Sequence, residues 1–207
     1  MRYTKKFQAN ENFLFSYRRC PYAMRARFAL VLESIEFSLM EISLKDKPED
    51  LLRLSPKGTV PVLVLSDGYV IDESLEIMDW VFNQTKTTKK YYPEKFNNEI
   101  TSLIIENDLI FKKNLDSYKY ESIVEKKTTH LLNCKNFLDK IEGLLNLNKF
   151  IFGKNISAAD IAIFPFIRQF ILVDQKVFLE MDLNNIQGWY QNISETECYK
   201  EIMIKPN

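Results

Sequence analysis

The sequence predicts an α/β domain with a mixed four-stranded sheet, followed by an all-helical domain, and three observations predict it. Apolar strand-like runs alternate with helical stretches in the order β-α-β-α-β-β-α as far as residue 84. A polar, charged run, Gln84-Thr-Lys-Thr-Thr-Lys-Lys90, then breaks the pattern ahead of Tyr91-Tyr92-Pro93. Beyond it every periodic segment repeats at helical spacing. The expected division is residues 1–84 as the first domain, 85–93 as linker and 94–207 as the helical domain.

Residues 1 to 12 read as a polar lead-in with a little extended structure. Phe13-Leu-Phe-Ser16 is a short apolar run that suits a buried strand. From Tyr22, the spacing of Ala23, Ala26, Ala29, Leu30 and Glu33 is helical, and Pro21 suits a first turn because its missing N–H has no partner to lose there. Cys20 therefore falls at or next to the N-cap, under unpaired amides. Those amides and the helix dipole favour negative charge, so this thiol should ionise more readily than a free cysteine. A buried structural cysteine is the bland alternative. Pro21 and the flanking Arg18 and Arg19 argue instead for an electropositive, half-open seat. A Cys-x-x-Cys dithiol would need a second cysteine at position 23, where Ala23 stands, so a mixed disulfide at Cys20 must be resolved by an outside thiol.

Glu36 to Ser43 reads as a second strand, parallel to the first because a helix joins them. Lys45 to Leu54 gives a short helix, capped by Asp46 or Lys47 with Pro48 in its first turn. Thr59-Val-Pro-Val-Leu-Val-Leu65 is β-branched, and Asp67-Gly68 signals a hairpin into Tyr69-Val-Ile71. Pro61 is out of place in that strand, since proline donates no ladder bond and belongs at a strand start, an edge or a bulge. A cis Val60–Pro61 bond would expose the Val60 backbone to a ligand, but residue order does not set the isomer. Leu75, Met78, Val81 and Phe82 form the next helical stripe, with Asp72 or Ser74 able to cap it. The amides at its start form a ready anion site, whereas the bland reading makes Glu73 and Ser74 simple caps.

In the second part, Ile100, Leu103, Ile104, Asn107, Phe111, Leu115 and Tyr118 share one helical face. Leu131, Cys134, Leu138, Ile141 and Leu145 share another, which makes Cys134 a core residue and leaves His130 at the surface. Ser157-Ala-Ala-Asp160 is a capping box ahead of a helix apolar nearly all round, Ile161 to Phe170, that Pro165 should kink or adjust locally. From Gln187-Gly-Trp189 onward the chain reads as a last helix with Trp189 as its anchor, and Cys198 receives no role.

Composition narrows the function classes. Lys+Arg and Asp+Glu balance at 28 each, which points away from nucleic acid or an anionic membrane as the main partner. No apolar run reaches spanning length, and Met1-Arg-Tyr-Thr-Lys-Lys lacks a signal peptide's apolar core. Three separated cysteines fit a reduced, cytoplasmic protein better than a disulfide framework. A single histidine, His130, argues against a multi-histidine metal site, so no metal is expected. With 5 glycines there is no P-loop or dinucleotide pattern.

Cys20-Pro21-Tyr22-Ala23 after a strand, Thr59-Val60-Pro61-Val62, Glu73-Ser74 and the Ser157–Asp160 box, all in this order, make the chain resemble a cytosolic glutathione transferase. The cysteine motif is most similar to the omega-like, cysteine-type members. The resemblance spans the chain and implies a thioredoxin-like first domain. It also implies glutathione as co-substrate: Val60 before Pro61 would meet the cysteinyl part, Glu73 and Ser74 the γ-glutamyl end, and Lys47 the glycyl end. Cys20 takes the reacting position rather than nearby Ser16 or Tyr17. The ligand's chemistry agrees, since a carboxylate suits the Ser74 amide and hydroxyl at a helix N-terminus and Glu73 offers charge to an ammonium. An electrophile pocket is implied between the domains, near Tyr22 and the Ile100–Tyr118 helix, and a homodimer is implied by resemblance alone.

Three functions compete. Cys20 could carry glutathione-dependent thiol transfer or reduction, including dehydroascorbate reductase-type activity, taking the glutathionyl group from a mixed disulfide. The chain could instead conjugate glutathione to small electrophiles, or be a binding or regulatory protein that keeps the fold without turnover. Cys20 favours the first over the second, and the complete glutathione set disfavours the third.

Overall fold

The four expected strands form, and a fifth joins them at the edge. The computed structural model describes residues 1–205. Its sheet contains β1 (Arg2–Tyr3), β2 (Phe13–Ser16), β3 (Ser38–Glu41), β4 (Val62–Val64) and β5 (Val70–Ile71), in the spatial order β1-β3-β2-β4-β5. The extra strand, β1, corrects the expected count of four. Two residues in a polar lead-in carry no periodicity, and what makes them a strand is their partner. Arg2 N–H donates to Phe37 O at 3.0 Å, Thr4 N–H donates to Leu39 O at 2.9 Å, and the Arg2 side chain bonds Ser38 Oγ.

Pairing directions follow the connections. Helix α1 (Pro21–Leu32) links β2 to β3, which run parallel, and the Asp67-Gly68 turn links β4 to β5, which run antiparallel. The register sets Leu14 beside both Leu39 and Leu63, so these three share one face. Phe13, Phe15, Met40, Val62 and Val64 alternate with them, and with Leu51 of α2 (Glu49–Leu54) they form a buried cluster. Phe7 from the lead-in closes that cluster, its ring 5.0 Å from Phe13 and 5.8 Å from Phe15. Helix α3 (Ser74–Gln84) packs against α1 and buries Ile77, Met78, Val81 and Phe82.

Two local expectations shift. Helix α2 starts at Glu49 with Pro48 in the N-cap position, and neither Asp46 nor Lys47 caps it. The expected strand over residues 59–65 shrinks to Val62–Val64, because Pro61 has no N–H to donate to the ladder.

Beyond α4 (Thr88–Tyr91) the chain is helical. Helices α5 (Asn97–Glu106) and α6 (Lys112–Tyr120) are joined by a π-helical segment, Asn107–Phe111, and α7 (Val124–Leu145) follows. Next come α8 (Ala158–Val173), α9 (Gln175–Leu179), α10 (Asn184–Ser194) and α11 (Glu197–Ile202). All seven residues of the face from Ile100 to Tyr118 are buried, as are Cys134, Leu138, Ile141 and Leu145 of α7. Helix α8 is buried from Ala158 to Ile167 and runs unbroken through Pro165. Asp160 reaches back to Ser157 N at 2.8 Å, and its other oxygen accepts from Trp189 Nε1 at 2.8 Å and Ile151 N at 2.9 Å.

The described chain divides into two compact units, residues 1–88 with the stretch from Glu195 onward, and Lys89–Ser194. The expected boundary kept residues 94–207 together, whereas α11 packs on α1 in the first unit. Ile202 is fully buried there, and its carbonyl accepts from Arg27 Nε at 3.1 Å.

Candidate active site

Cys20 is the N-cap of α1, in extended conformation (φ −72°, ψ 123°), with Pro21 opening the helix. Its carbonyl accepts the first helical bond from Met24 N at 2.9 Å, and its N–H closes a turn onto Tyr17 O at 3.0 Å. The thiol is left half-buried, with Sγ 3.7 Å from the Val60 carbonyl. Of the two other cysteines, Cys134 is buried and Cys198 half-buried. Burial pushes the Cys134 and Cys198 thiols each up to about 12, far from thiolate formation at neutral pH.

Val60–Pro61 is a cis peptide. Ladder pairing with β2 begins at Val62, opposite Phe15, so the Val60 peptide stands outside the ladder and faces the Cys20 thiol. The loop ahead of it needs Gly58, at φ +60°, a conformation that side chains with a Cβ rarely adopt. Lys47 is exposed and lies over this glycine, its Nζ 3.4 Å from where a Cβ would stand. Lys47 thus lies against Gly58 and the Cys20 thiol against Val60, at the two ends of one short loop, while Val60 and Pro61 themselves are buried.

The start of α3 supplies the remaining pair. Glu73 is the N-cap and Ser74 the first helical residue, and no side chain caps the helix, neither Asp72 nor Ser74. Ser74 is buried, and its Oγ accepts from Arg25 Nη1 at 3.4 Å. Glu73 is exposed, with Oε1 accepting from Lys57 Nζ at 2.6 Å. Lys57 also donates to Asp72 Oδ1 at 3.2 Å, and Asp72 Oδ2 accepts from Ser55 Oγ at 2.7 Å. The Ser55 hydroxyl, and after it Lys57, holds the Asp72 carboxyl below its usual range, while Glu73 and Asp72 raise Lys57. Tyr22 sits half-buried on α1, its ring centroid 5.4 Å from the Arg25 guanidinium.

Sequence reasoning missed Lys57, Arg25 and Arg27. The two arginines did leave a signal, since charged residues at helix-interior spacing in an apolar segment are buried only when they have polar work to do. Lys57 left none, because its partners lie 15 and 16 residues away. His130, expected at the surface, is half-buried, with Nδ1 3.0 Å from Asn114 Oδ1.

A thioredoxin-like unit with a cis-proline ahead of its antiparallel hairpin, followed in one chain by a helical unit, is the fold of the glutathione transferases. Two family models match the chain, the glutathione S-transferase N-terminal domain over residues 14–89 and the glutathione S-transferase C-terminal domain over residues 127–192. The chain belongs to the glutathione S-transferase superfamily. It is similar to glutathione S-transferase omega-1 of Mus musculus, 25% identical over 79% of this chain and 68% of that one. It is also similar to the probable glutathione S-transferase DHAR1, cytosolic, of Oryza sativa subsp. japonica, 25% identical over 89% of this chain and 79% of that one. Among solved structures it resembles a glutathione transferase family member from Pseudomonas fluorescens pf-5 with two glutathione bound. That likeness has a TM-score of 0.83 at 14% identity, over 95% of this chain and 94% of the other. Among the described residues, no helix is long and apolar enough to cross a membrane.

Proposed function

We propose that this transferase is a cysteine-type, omega-like enzyme that moves glutathionyl groups through Cys20. The observation that carries the reading is the seat of the thiol: a helix N-cap, 3.7 Å from the Val60 carbonyl, with Ala23 where a resolving cysteine would be. Helix N-termini favour negative charge, and a thiolate is the attacking species in thiol–disulfide exchange. The Cys20 thiolate attacks the glutathione sulfur of a mixed disulfide. The substrate leaves as a thiolate and takes a proton, and Cys20 holds the glutathionyl group. A second glutathione thiolate attacks that sulfur, releasing glutathione disulfide and restoring Cys20. The two electrons come from glutathione.

In this reading Val60 and Pro61 meet the cysteinyl part of glutathione, Ser74 and Glu73 the γ-glutamyl end, and Lys47 the glycyl carboxylate. Lys57 adds a feature. Its ammonium already sits on Glu73 Oε1, so the ligand's ammonium would share that carboxylate with Lys57. A twofold dimer belongs to the reading by resemblance, and a light-scattering mass of one chain would reject that part.

The deciding assay measures steady-state turnover of a glutathionyl mixed disulfide and of dehydroascorbate beside a haloaromatic electrophile. Thiol transfer predicts turnover of the first two that depends on Cys20. Turnover of the electrophile alone, undiminished in Cys20→Ser, would establish conjugation instead.

A further inference from the structure

Arg27 is among the largest fully buried side chains of the described chain, and none of its acceptors is a carboxylate. Nη1 donates to Ser16 Oγ at 2.5 Å and to Tyr17 O at 3.3 Å, Nη2 donates to Arg18 O at 2.7 Å, and Nε donates to Ile202 O at 3.1 Å. A buried guanidinium is costly unless its donors are met, and here four bonds meet four of its five N–H groups. Three of those bonds land on consecutive residues, Ser16, Tyr17 and Arg18, which lead from β2 into Cys20. The fourth lands on the end of α11, some 175 residues along the chain.

The same turn is held from its other side. Glu41, at the end of β3, accepts the Arg18 N–H at 2.8 Å, and Cys20 N–H bonds Tyr17 O at 3.0 Å. Tyr17 O is thus shared between the Cys20 amide and the Arg27 guanidinium. Arg27 lies seven residues after Cys20, two helical turns along the same side of α1. Burial lowers the Arg27 guanidinium to about 10, with Glu41, Tyr3 and Cys20 acting in the opposite sense and Arg18 adding to the lowering.

We infer that Arg27 is the positioning residue of Cys20: it fastens the Ser16–Arg18 backbone to α1 and to the Ile202 carbonyl, so that the reactivity of the thiol depends on the docking of α11. The inference rests on the reading of Cys20 as the reacting group. Its test does not need turnover, because alkylation reports on the thiol directly.

The experiment follows Cys20 alkylation by iodoacetamide as a function of pH in the full chain, with the modified residue identified by peptide mass. Arg27→Met should slow alkylation at pH 7 roughly tenfold and move the pH profile to higher pH, since the turn that seats the thiol under the helix amides is unfastened and a positive charge on the same side of α1 is lost. Arg27→Lys keeps the charge without the fork of donors, so it should fall between the two. Because Arg27→Met removes a group that ties two elements together, Ile202→Ala is the second variant. It loosens α11 from the far end and should shift the profile the same way by less. A wild-type pH profile in any of these variants that folds overturns the proposal, even where its melting temperature has dropped. If the profiles shift as stated while thiol transfer proves independent of Cys20, the positioning stands and the functional reading falls.

Discussion

Replacing Asp160 with alanine should destabilise the helical unit more than any other single change proposed here. The carboxylate is fully buried and accepts four hydrogen bonds, from Ile151 N at 2.9 Å, Ser157 N at 2.8 Å, Ser157 Oγ at 2.6 Å and Trp189 Nε1 at 2.8 Å. The Ser157 hydroxyl can rotate toward another acceptor, but the three N–H groups cannot move. Each buried donor left unpaired costs about 1–3 kcal/mol, and such costs are not fully additive, so the loss should be about 3–6 kcal/mol. For a chain of this size each kcal/mol moves the melting temperature by about 2–4 °C, which gives a drop of roughly 6–24 °C. Ser157→Ala removes only the hydroxyl and should cost about 1 kcal/mol. Thermal unfolding followed by Trp fluorescence reads both, since Trp189 is part of the network. An Asp160→Ala protein melting within 3 °C of wild type, or one no less stable than Ser157→Ala, would show that the network does not hold the unit.

Ser74→Ala and Glu73→Gln should each weaken glutathione binding by about 1–3 kcal/mol in calorimetry, with smaller effects on stability, and unchanged affinity in both would remove them from the site. Asp174 gives a pH test: Tyr118 Oη, donating at 2.7 Å, and Val177 N hold its carboxyl below the usual range. A depressed folded-state value means stabilisation present above the unfolded value, about 3.9, and lost as pH falls below it. Asp174→Asn should therefore be less stable than wild type at pH 7, with the gap closing below about pH 4, whereas a gap constant down to pH 3 contradicts the assignment. Iodoacetamide on the native protein should label Cys20 and spare Cys134 and Cys198, whose burial suppresses their thiolates, until urea exposes them. Equal native labelling of all three would contradict it.

Much of the fold was legible because it depends on local pattern. The Ile100–Tyr118 face was readable residue by residue, since helical spacing alone decides which side is buried, and the π segment did not disturb it. The parallel and antiparallel pairings followed from connection length. What depends on distant partners was not legible. β1 is a strand only because β3 offers it an edge, and α11 joins the first unit only because Arg27 and the α1 surface receive it. Within the candidate site, Cys20 was placed by Pro21 and helix spacing, whereas the isomer of Val60–Pro61 and the Lys57–Glu73 pair arise from tertiary structure. The proline marked the place, and only the fold set the geometry.

In the proposed mechanism Cys20 is the covalent nucleophile of a monothiol exchange. The most direct measurement incubates the protein with oxidised glutathione, maps any adduct by peptide mass, and then adds reduced glutathione. One glutathionyl group should form on Cys20 and be removed by fresh glutathione, with neither event in Cys20→Ser, because an alkoxide is far less accessible than a thiolate at neutral pH. An adduct on Cys134 or Cys198, or full thiol-transfer turnover in Cys20→Ser, would contradict that mechanism.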